Sequence, residues 1–401
     1  MLLFIQTNKG GIFSLKYDNT DANCVKELYG KGNLSQITDY LSEIFDKGNV
    51  AVICDENSFS TAERACRYLG DGGYFVRQIV AGKFEFGLPD TDECVRYYVG
   101  VGNTDVADVT KLLAKRAGAG FSLVPTAPDS ERYVEGGVYY MHEFIGTELP
   151  DMLLIDSEII EKAPCEATAA GYGRVFSQLV TIFDRDVGKL MFAKSYDEEA
   201  LQTLSESIRE FESEKTGDEF RSCLMRTLIK IGLAREKLNV RYEGTDEVAR
   251  VMAKVTGKSF GEASFISAYM ILNVYRCYLA DENVDTLIPE DIVFTIKTLE
   301  KMKVVNYNKY MSEIEVTRVD DYLKQTFILN EYRREMFEKL DGLDLAGFAR
   351  FWRRLYDDAG YWLKRFSSGK ELLKILSLAS ELGADGLLKY VKRTGFFERL
   401  I

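Results

Sequence analysis

Residues 97–116, YYVGVGNTDVADVTKLLAKR, combine two features that suit phosphate binding. Gly100 and Gly102 are small enough to let an anionic ligand approach the backbone, and the residues after them have the pattern of a helix start. The first N–H groups of a helix have no partner within the helix and favour negative charge. The alternative is an ordinary tight turn between a strand and a helix, and the glycines alone do not decide between the two.

The chain has only one histidine, His142, among 401 residues. Histidine is the side chain that most often serves as an acid, a base or a metal ligand near neutral pH. A phosphate-binding loop in this chain therefore has almost no histidine to serve beside it as an acid, a base or a metal ligand. We expect His142, in a predicted hairpin, to be a structural or surface residue.

Composition narrows the class of protein. The net charge of −12 argues against a general nucleic-acid binder, although a small anion needs only a local pocket. Seven cysteines, an odd number without CxxC spacing, predict reduced thiols in a cytoplasmic protein. The opening residues MLLFIQTNKGGIF predict a strand and not a signal peptide, and no apolar run has the length of a membrane span.

Apolar runs alternate with helical patterns as far as about residue 158. Strands are predicted over residues 49–55, 74–80, 94–102 and 119–128, followed by a hairpin and a strand ending at Asp156. This alternation predicts a doubly wound, Rossmann-like parallel sheet. From residue 159 almost every segment has helical periodicity. We predict an α/β domain over residues 1–158 and an all-helical domain over residues 159–401, with extra helices from about residue 340.

Several motifs resemble one known superfamily. The loop GVGNTDVADVTK and the nearby SLVPTAP are similar to the iron-containing alcohol dehydrogenase and dehydroquinate synthase superfamily, nearest to its sn-glycerol-1-phosphate dehydrogenase branch. In that branch a GVGSGTxND-type loop and a VPTAPS-type strand end line the nicotinamide dinucleotide. The resemblance extends over about residues 28–300 through YGKGNLSQITDYL, PDMLLIDSEIIEKAPCEATAAGYG and GKSFGEASFISAYMIL.

The resemblance implies a dinucleotide site. The residues that would contact its phosphates or hold the loop are Gly100, Gly102, Asn103, Thr104 and Asp108. Thr126 would lie near the nicotinamide, and Asp55 would accept hydrogen bonds from the adenosine ribose, although a turn or a helix cap is an alternative role for it. A carboxylate there repels a 2′-phosphate, so NAD(H) is favoured over NADP(H). We expect Lys111 to lie on the helix surface.

The resemblance also implies a divalent metal, held by one Asp and two His, that acts as a Lewis acid on the substrate hydroxyl. This chain has Arg174 where the Asp would follow AAGYG, Phe260 where a His would begin the HGE motif, and Glu247 nearest to the other His. A guanidinium stays protonated and cannot bind a metal. We therefore expect no metal, with Arg174 at its position and paired with Glu247 or Glu262.

Three functions remain open at this point. The favoured one is a pseudoenzyme that binds a dinucleotide and acts as a sensor, partner subunit or scaffold. The second is a metal-independent NAD(P)-dependent oxidoreductase acting on a small polyol phosphate, with Arg174 stabilising the alkoxide or the substrate phosphate. Its proton donor would be Tyr133, Glu131 or Tyr172. The third is a structural protein that has lost its ligand site.

The C-terminal region carries more positive charge than the rest of the chain. Residues 331–401 contain 14 Lys and Arg against 11 Asp and Glu, in amphipathic, aromatic-rich segments. Helices that pack on the second domain are the plainer interpretation, and a surface for a homo-oligomer or a protein partner is the alternative. Membrane binding is not expected, because acidic residues interrupt the polar face.

Overall fold

The computed structural model describes residues 25–82, 87–90, 93–140, 143–215, 219–239, 244–281, 319–355, 369–380 and 387–400. Contacts divide the chain into two units. The first, here called the α/β unit, is Met1–Thr168 with Glu210–Glu236, and the second, the helical unit, is Ala169–Arg209 with Lys237–Ile401. The domain boundary at about residue 158 stays a prediction. The predicted N-terminal strand and His142 lie outside the described residues.

The α/β unit is built on a six-stranded sheet of β1 (Lys26–Gly30), β2 (Asn49–Cys54), β3 (Phe75–Val80), β4 (Tyr97–Gly102), β5 (Gly120–Pro125) and β8 (Met152–Asp156). The strand order is β1-β8-β5-β4-β2-β3, and all strand pairs of this sheet are parallel. The antiparallel hairpin is β6 (Gly137–Tyr140) with β7 (Glu143–Gly146). Helices α1 (Ile37–Ser42), α2 (Phe59–Asp71), α3 (Thr104–Ala117), α4 (Ser157–Ile160) and most of α7 (Phe220–Lys237) belong to this unit.

The sheet follows from runs of apolar residues. Residues 50–54 of β2, VAVIC, are all buried, as is every residue of β4. Parallel sheets are covered on both faces, so their strands are continuously apolar and do not alternate with polar residues. The structure confirms the strands predicted over residues 49–55, 74–80, 94–102 and 119–128, the hairpin and the strand ending at Asp156. In the part of the chain that it describes, it also confirms the helices that follow, and with them the predicted fold class.

The strand order places several predicted site residues at one edge of the sheet. β3 lies on one side of β2 and β4 on the other, so the direction of winding reverses between β2 and β4. Ligands of doubly wound sheets bind outside the carboxyl ends of the strands at such a reversal. Asp55 follows β2, Gly102 ends β4 and Thr126 follows β5, the next strand in the sheet.

One strand of the sheet was not predicted. β1 lies at the sheet edge and begins with two charged residues, Lys26 and Glu27, so it lacks an apolar run. It pairs in parallel with β8, and the turn after it is held by Asp156. That carboxylate accepts hydrogen bonds from the backbone N–H groups of Gly32 and Leu34, each at 3.1 Å. Asp156 therefore has a structural role in this fold.

The helical unit contains most of α5 (Cys165–Phe192), part of α6 (Glu198–Glu214), α8 (Gly244–Thr256), α9 (Phe260–Ala280), α10 (Val319–Asp341), α11 (Leu345–Leu355), α12 (Gly369–Ala379), α13 (Leu387–Arg393) and α14 (Phe396–Leu400). Among the described residues, no helix is both long enough and apolar enough to cross a bilayer.

Aromatic side chains from three helices form the packed interior around α9. The ring of Phe265 stacks on Trp352 of α11 at 4.4 Å and 5° between the ring planes, and it contacts Phe176 of α5 at 4.6 Å. The Trp352 indole N–H also donates to the Ala169 carbonyl oxygen at 3.1 Å. Helix α11 therefore packs within the helical unit, as the plainer interpretation of the C-terminal region predicted. A role of the C-terminal helices in self-association stays a prediction.

Candidate functional site

The glycines of the predicted phosphate loop have a packing role. A Cβ atom on Gly102 would lie 2.5 Å from Val106 Cγ2, and one on Gly100 would lie 2.5 Å from Thr110 Oγ1. Both distances are far inside van der Waals contact, so α3 can approach β4 only because these residues lack a side chain. The glycines therefore place the N-terminus of α3 directly beyond the end of β4.

The sequence predicts Asn103 or Thr104 as the N-cap of α3 and Gly118 as its end, and the structure has Asn103 and Gly118 in these roles. Asn103 is the N-cap, and its side-chain oxygen accepts a hydrogen bond from the Val106 N–H at 3.2 Å. Gly118 closes the helix with a left-handed φ of 60°. The helix is 14 residues long, and its first turn faces the carboxyl edge of the sheet where a ligand would bind.

A carboxylate of the chain already lies at this helix N-terminus. Asp129, in the loop after β5, accepts hydrogen bonds from the Thr104 N–H at 3.2 Å and from the Thr104 hydroxyl at 2.7 Å. The Tyr133 hydroxyl donates to the same carboxylate at 2.7 Å. Asp129 is not among the predicted site residues, and its one signal in the sequence is an acidic residue directly after the SLVPTAP segment.

Asp108 and Lys111 lie on the buried side of α3. The Asp108 carboxylate pairs with Arg132 at 2.5 Å, and burial raises its pKa to about 6. The expectation of a surface position for Lys111 is wrong, because its ammonium group is buried and donates to the carbonyl oxygens of Arg132 and Glu135. Both residues therefore hold the segment after Asp129 against α3, and a direct contact of Asp108 with phosphate stays a prediction.

Replacing Asp108 by Asn is expected to make the stability of the protein less dependent on pH. The folded-state pKa of about 6 lies above the unfolded value of about 4, so Asp108 stabilises the fold most at low pH. That contribution is lost as the pH rises from about 4 through 6. Denaturant titrations at pH 4.5 and 7 should show a smaller difference in the Asp108→Asn variant than in the wild type, and an unchanged difference would contradict this assignment.

Asp55 and Thr126 lie at the same sheet edge as the loop, but their present contacts are local. The Asp55 carboxylate accepts hydrogen bonds from the Ser58 N–H at 2.7 Å and from the Ser58 hydroxyl at 2.5 Å. The Thr126 N–H donates to the Gly102 carbonyl oxygen at 2.9 Å. Asp55 therefore has the turn role considered for it. Both hydrogen bonds are accepted by Oδ1, so they do not occupy Oδ2, the oxygen that would face a ribose.

In the helical unit, Arg174 is the centre of a buried polar cluster. Its side chain is 1% exposed, and its Nη1 donates to Asp246 Oδ1 and to Ser264 Oγ, each at 2.8 Å. The guanidinium carbon lies 4.6 Å from the centre of the Phe260 ring. The carboxylate at 2.8 Å, Asp246, precedes Glu247 and was not named by the sequence analysis. Glu247 pairs with Arg250, and Glu262 pairs with Lys258 and caps α9.

Two glycines bring these helices together. A Cβ atom on Gly261, next to Phe260, would lie 2.5 Å from the Ala170 carbonyl oxygen of α5. Gly173, next to Arg174, faces Gly261 in the same crossing. The close crossing of α5 and α9 places the Arg174 side chain against Phe260 and Ser264. The sequence motifs AAGYG and FGE therefore belong to one packed contact.

The resemblance implies metal ligands at the positions of Arg174, Phe260 and Glu247, and the side chains present there do not suit a metal ion. Arg174 is a cation without an acceptor, and the Phe260 ring offers no lone pair. Only Glu247 could ligate, and Arg250 already neutralises it. In the part of the chain that the structure describes, no group of three or more His, Cys, Asp or Glu side chains is placed to hold a metal.

The three proposed proton donors have unfavourable surroundings. Burial and the neighbouring Asp129 carboxylate raise the pKa of Tyr133 well above its ordinary value, so it is a weak acid at neutral pH. Glu131 is buried, with the Arg235 Nε 3.5 Å from its carboxylate. Tyr172 is buried among aromatic rings, including Phe351 at 5.0 Å. All three are buried, and Tyr133 and Glu131 are already engaged with Asp129 and Arg235.

Relatives among curated proteins agree with the resemblance. No family model matches the chain. It is 23% identical over 177 residues to a glycerol-1-phosphate dehydrogenase, NAD(P)+, of Bacillus velezensis, which covers 39% of this chain and 44% of that protein. It is 25% identical over 184 residues to the same enzyme of Haloarcula marismortui, which covers 43% and 52%. The chain thus spans about half the length of the curated relatives it matches.

Solved structures show the same fold over nearly the whole chain. An archaeal halo-thermophilic alcohol dehydrogenase from a Red Sea brine pool superposes with a TM-score of 0.59 at 14% identity, covering 96% of this chain and 99% of that one. Maleylacetate reductase from Agrobacterium tumefaciens gives a TM-score of 0.57 at 12% identity, covering 94% and 96%. The resemblance to glycerol-1-phosphate dehydrogenases is confirmed by the curated relatives. The likeness to the alcohol dehydrogenase and maleylacetate reductase structures establishes the fold alone.

Proposed function

We propose that this chain is a glycerol-1-phosphate-dehydrogenase-like protein that binds a nicotinamide dinucleotide and works without a catalytic metal, as a pseudoenzyme with a sensing, partner or scaffold role. The observation that carries the proposal is the buried Arg174, paired with Asp246 and stacked on Phe260. Two of the three positions where the family would place metal ligands are in direct contact in this cluster, and both carry side chains that cannot ligate.

Charge is the physical reason for excluding the metal. A divalent ion beside the guanidinium would add a strong repulsion in a site of low dielectric constant. It would also have to compete with Arg174 for Asp246, which the ion pair and the hydrogen bond to Ser264 already hold in place. The cation of the chain thus takes over the charge that the metal would supply.

Binding of a nicotinamide dinucleotide is supported by the geometry of the α/β unit and by the NAD(P)+ in the names of the curated relatives. The winding of the sheet reverses between β2 and β4, and this places the Asp55 carboxylate, the N-terminus of α3 and Thr126 at one edge of the sheet. The curated relatives are described as NAD(P)+-dependent. We place the adenosine ribose at Asp55 and the pyrophosphate at Gly102–Thr104. A small phosphorylated ligand beside the dinucleotide stays a prediction.

Binding of NADH should be measurable by its fluorescence and should be stronger than binding of NADPH. Asp55→Ala should weaken NADH binding about tenfold and reduce the preference over NADPH, because the carboxylate that holds the ribose and repels a 2′-phosphate is removed. Glu56→Ala is the control, because Glu56 is exposed and its substitution removes the same charge one residue away. Equal effects of the two variants would contradict the placement of the ribose, and absence of NADH binding would contradict the proposal.

A turnover assay separates the pseudoenzyme from an altered dehydrogenase. The wild type with NADH, NADPH and a set of ketose and polyol phosphates should show no oxidation or reduction, with or without EDTA. Turnover that EDTA leaves unchanged would favour the metal-independent oxidoreductase, with Arg174 in the catalytic role. Turnover that EDTA abolishes would contradict both alternatives.

A further inference from the structure

The N-terminus of α3 is occupied by an anion of the chain itself. Three donors converge on the Asp129 carboxylate: the Thr104 N–H, the Thr104 hydroxyl and the Tyr133 hydroxyl, at 3.2, 2.7 and 2.7 Å. A carboxylate at this place gains from the unpaired N–H groups and the dipole of the helix, as a phosphate would. One oxygen, Oδ1, accepts both hydroxyl hydrogen bonds, and the other accepts the N–H.

The surrounding structure holds this carboxylate in position. Tyr133, in the short helix Arg132–Val134, is buried, and the Asp108–Arg132 ion pair fixes that helix against α3. Desolvation raises the pKa of Asp129, while its hydrogen bonds with Thr104 and Tyr133 act in the opposite direction. The hydrogen bonds of Thr104 and Tyr133 therefore offset part of the desolvation cost of the charge, and the pKa of Asp129 stays above its ordinary value.

Both partners of the contact are places where this chain departs from the sequence pattern it resembles. In GVGNTDVAD, Thr104 stands where the GVGSGTxND pattern has Gly, and Asp129 follows VPTAP where the other pattern has Ser. The hydroxyl donor and the carboxylate acceptor thus occur together in this chain. With glycine at position 104 and serine at position 129, the backbone N–H of residue 104 would have no charged partner at position 129.

We infer that Asp129 is an internal competitor for the pyrophosphate: a dinucleotide binds at the α3 N-terminus only when the Asp129 side chain leaves the Thr104 N–H and hydroxyl. This inference rests on the proposed dinucleotide site and adds its regulation. Two anions cannot share one pair of donors, because like charges a few ångströms apart repel strongly outside bulk water. Asp129 itself is partly exposed, although its neighbours Pro128 and Ser130 are buried, so its side chain can leave the Thr104 donors by rotating outward without movement of the loop.

The test compares wild type, Asp129→Ala and Asp105→Ala by isothermal titration calorimetry with two ligands, NADH and inorganic pyrophosphate. Asp105 is the matched control, because it lies in the same first turn and carries the same charge, but its side chain is 70% exposed. Asp129→Ala should bind both ligands at least tenfold more tightly than wild type, while Asp105→Ala should gain no more than about threefold, which is the effect expected of removing a nearby exposed charge. Thermal melting checks that each variant is folded.

The outcomes separate this inference from the proposed function. Tighter pyrophosphate binding by Asp129→Ala, without NADH binding by any variant, supports the competitor role and contradicts the dinucleotide function. An Asp129→Ala gain no larger than that of Asp105→Ala overturns the competitor role, even if wild type binds NADH. The absence of measurable pyrophosphate binding to wild type and to Asp129→Ala overturns it as well. If Asp129→Ala melts at a much lower temperature, Asp129→Asn, which keeps the side-chain shape and removes the charge, takes its place with the same expected direction.

Discussion

Replacing Arg174 by Met is expected to lower the free energy of unfolding by about 3–5 kcal/mol, because the change leaves the Asp246 carboxylate buried without its cation. Arg174 and Asp246 are both buried and lie 2.8 Å apart, and methionine fills a similar volume without a donor. Guanidinium denaturation followed by circular dichroism measures the loss.

Two further variants show whether the loss comes from the buried pair. Adding Asp246→Leu to Arg174→Met should recover most of the stability, since replacing both partners of a buried ion pair by apolar groups is often neutral. Arg334→Met, which breaks the exposed Arg334–Glu338 pair, should cost less than about 1 kcal/mol. An Arg174→Met variant as stable as wild type would mean that the pair is not formed in solution.

Trp352→Ala is expected to be as damaging, at about 3–5 kcal/mol. The indole is 1% exposed, stacks on Phe265 at 4.4 Å and donates to the Ala169 carbonyl oxygen at 3.1 Å. Its removal leaves a cavity in the packed interior of the helical unit and removes the hydrogen bond to Ala169. Circular dichroism is again the measurement, because the substitution removes one of only two tryptophans in the chain.

Arg353→Ala is the control for Trp352→Ala. Arg353 is the next residue on α11 and is exposed, so its truncation should change the free energy of unfolding by less than about 0.5 kcal/mol. If Trp352→Ala were equally mild, α11 would not be packed in solution, and the alternative of a surface for self-association would gain support.

The sequence predicted the features that local chemistry determines. The apolar run of β2 predicts a buried strand. Asn103 or Thr104 predicts the start of α3, and Gly118 predicts its end. The glycines of the loop predicted the junction of β4 with α3, although their packing against Val106 and Thr110 could not be separated from a ligand role. Each of these features depends on a few consecutive residues.

Features that depend on distant partners were missed. β1 was not predicted, because its charged residues form a strand only through pairing with β8. Lys111 is buried since carbonyl oxygens more than 20 residues away accept its hydrogen bonds. Asp246 has no distinctive local pattern, and the acidic residue after SLVPTAP is a weak signal for Asp129. The importance of both follows from Thr104 and Arg174, which the fold brings close to them.

The metal content of the protein tests most directly the claim that Arg174 replaces the catalytic metal. The untagged full chain, purified without chelator, should be analysed for zinc, iron, manganese and nickel by mass spectrometry with an inductively coupled plasma. We expect far less than one atom of any of these metals per chain, and no change in the melting temperature when EDTA or excess zinc is added. One atom of zinc or iron per chain, removed by EDTA together with a fall in the melting temperature, would contradict it.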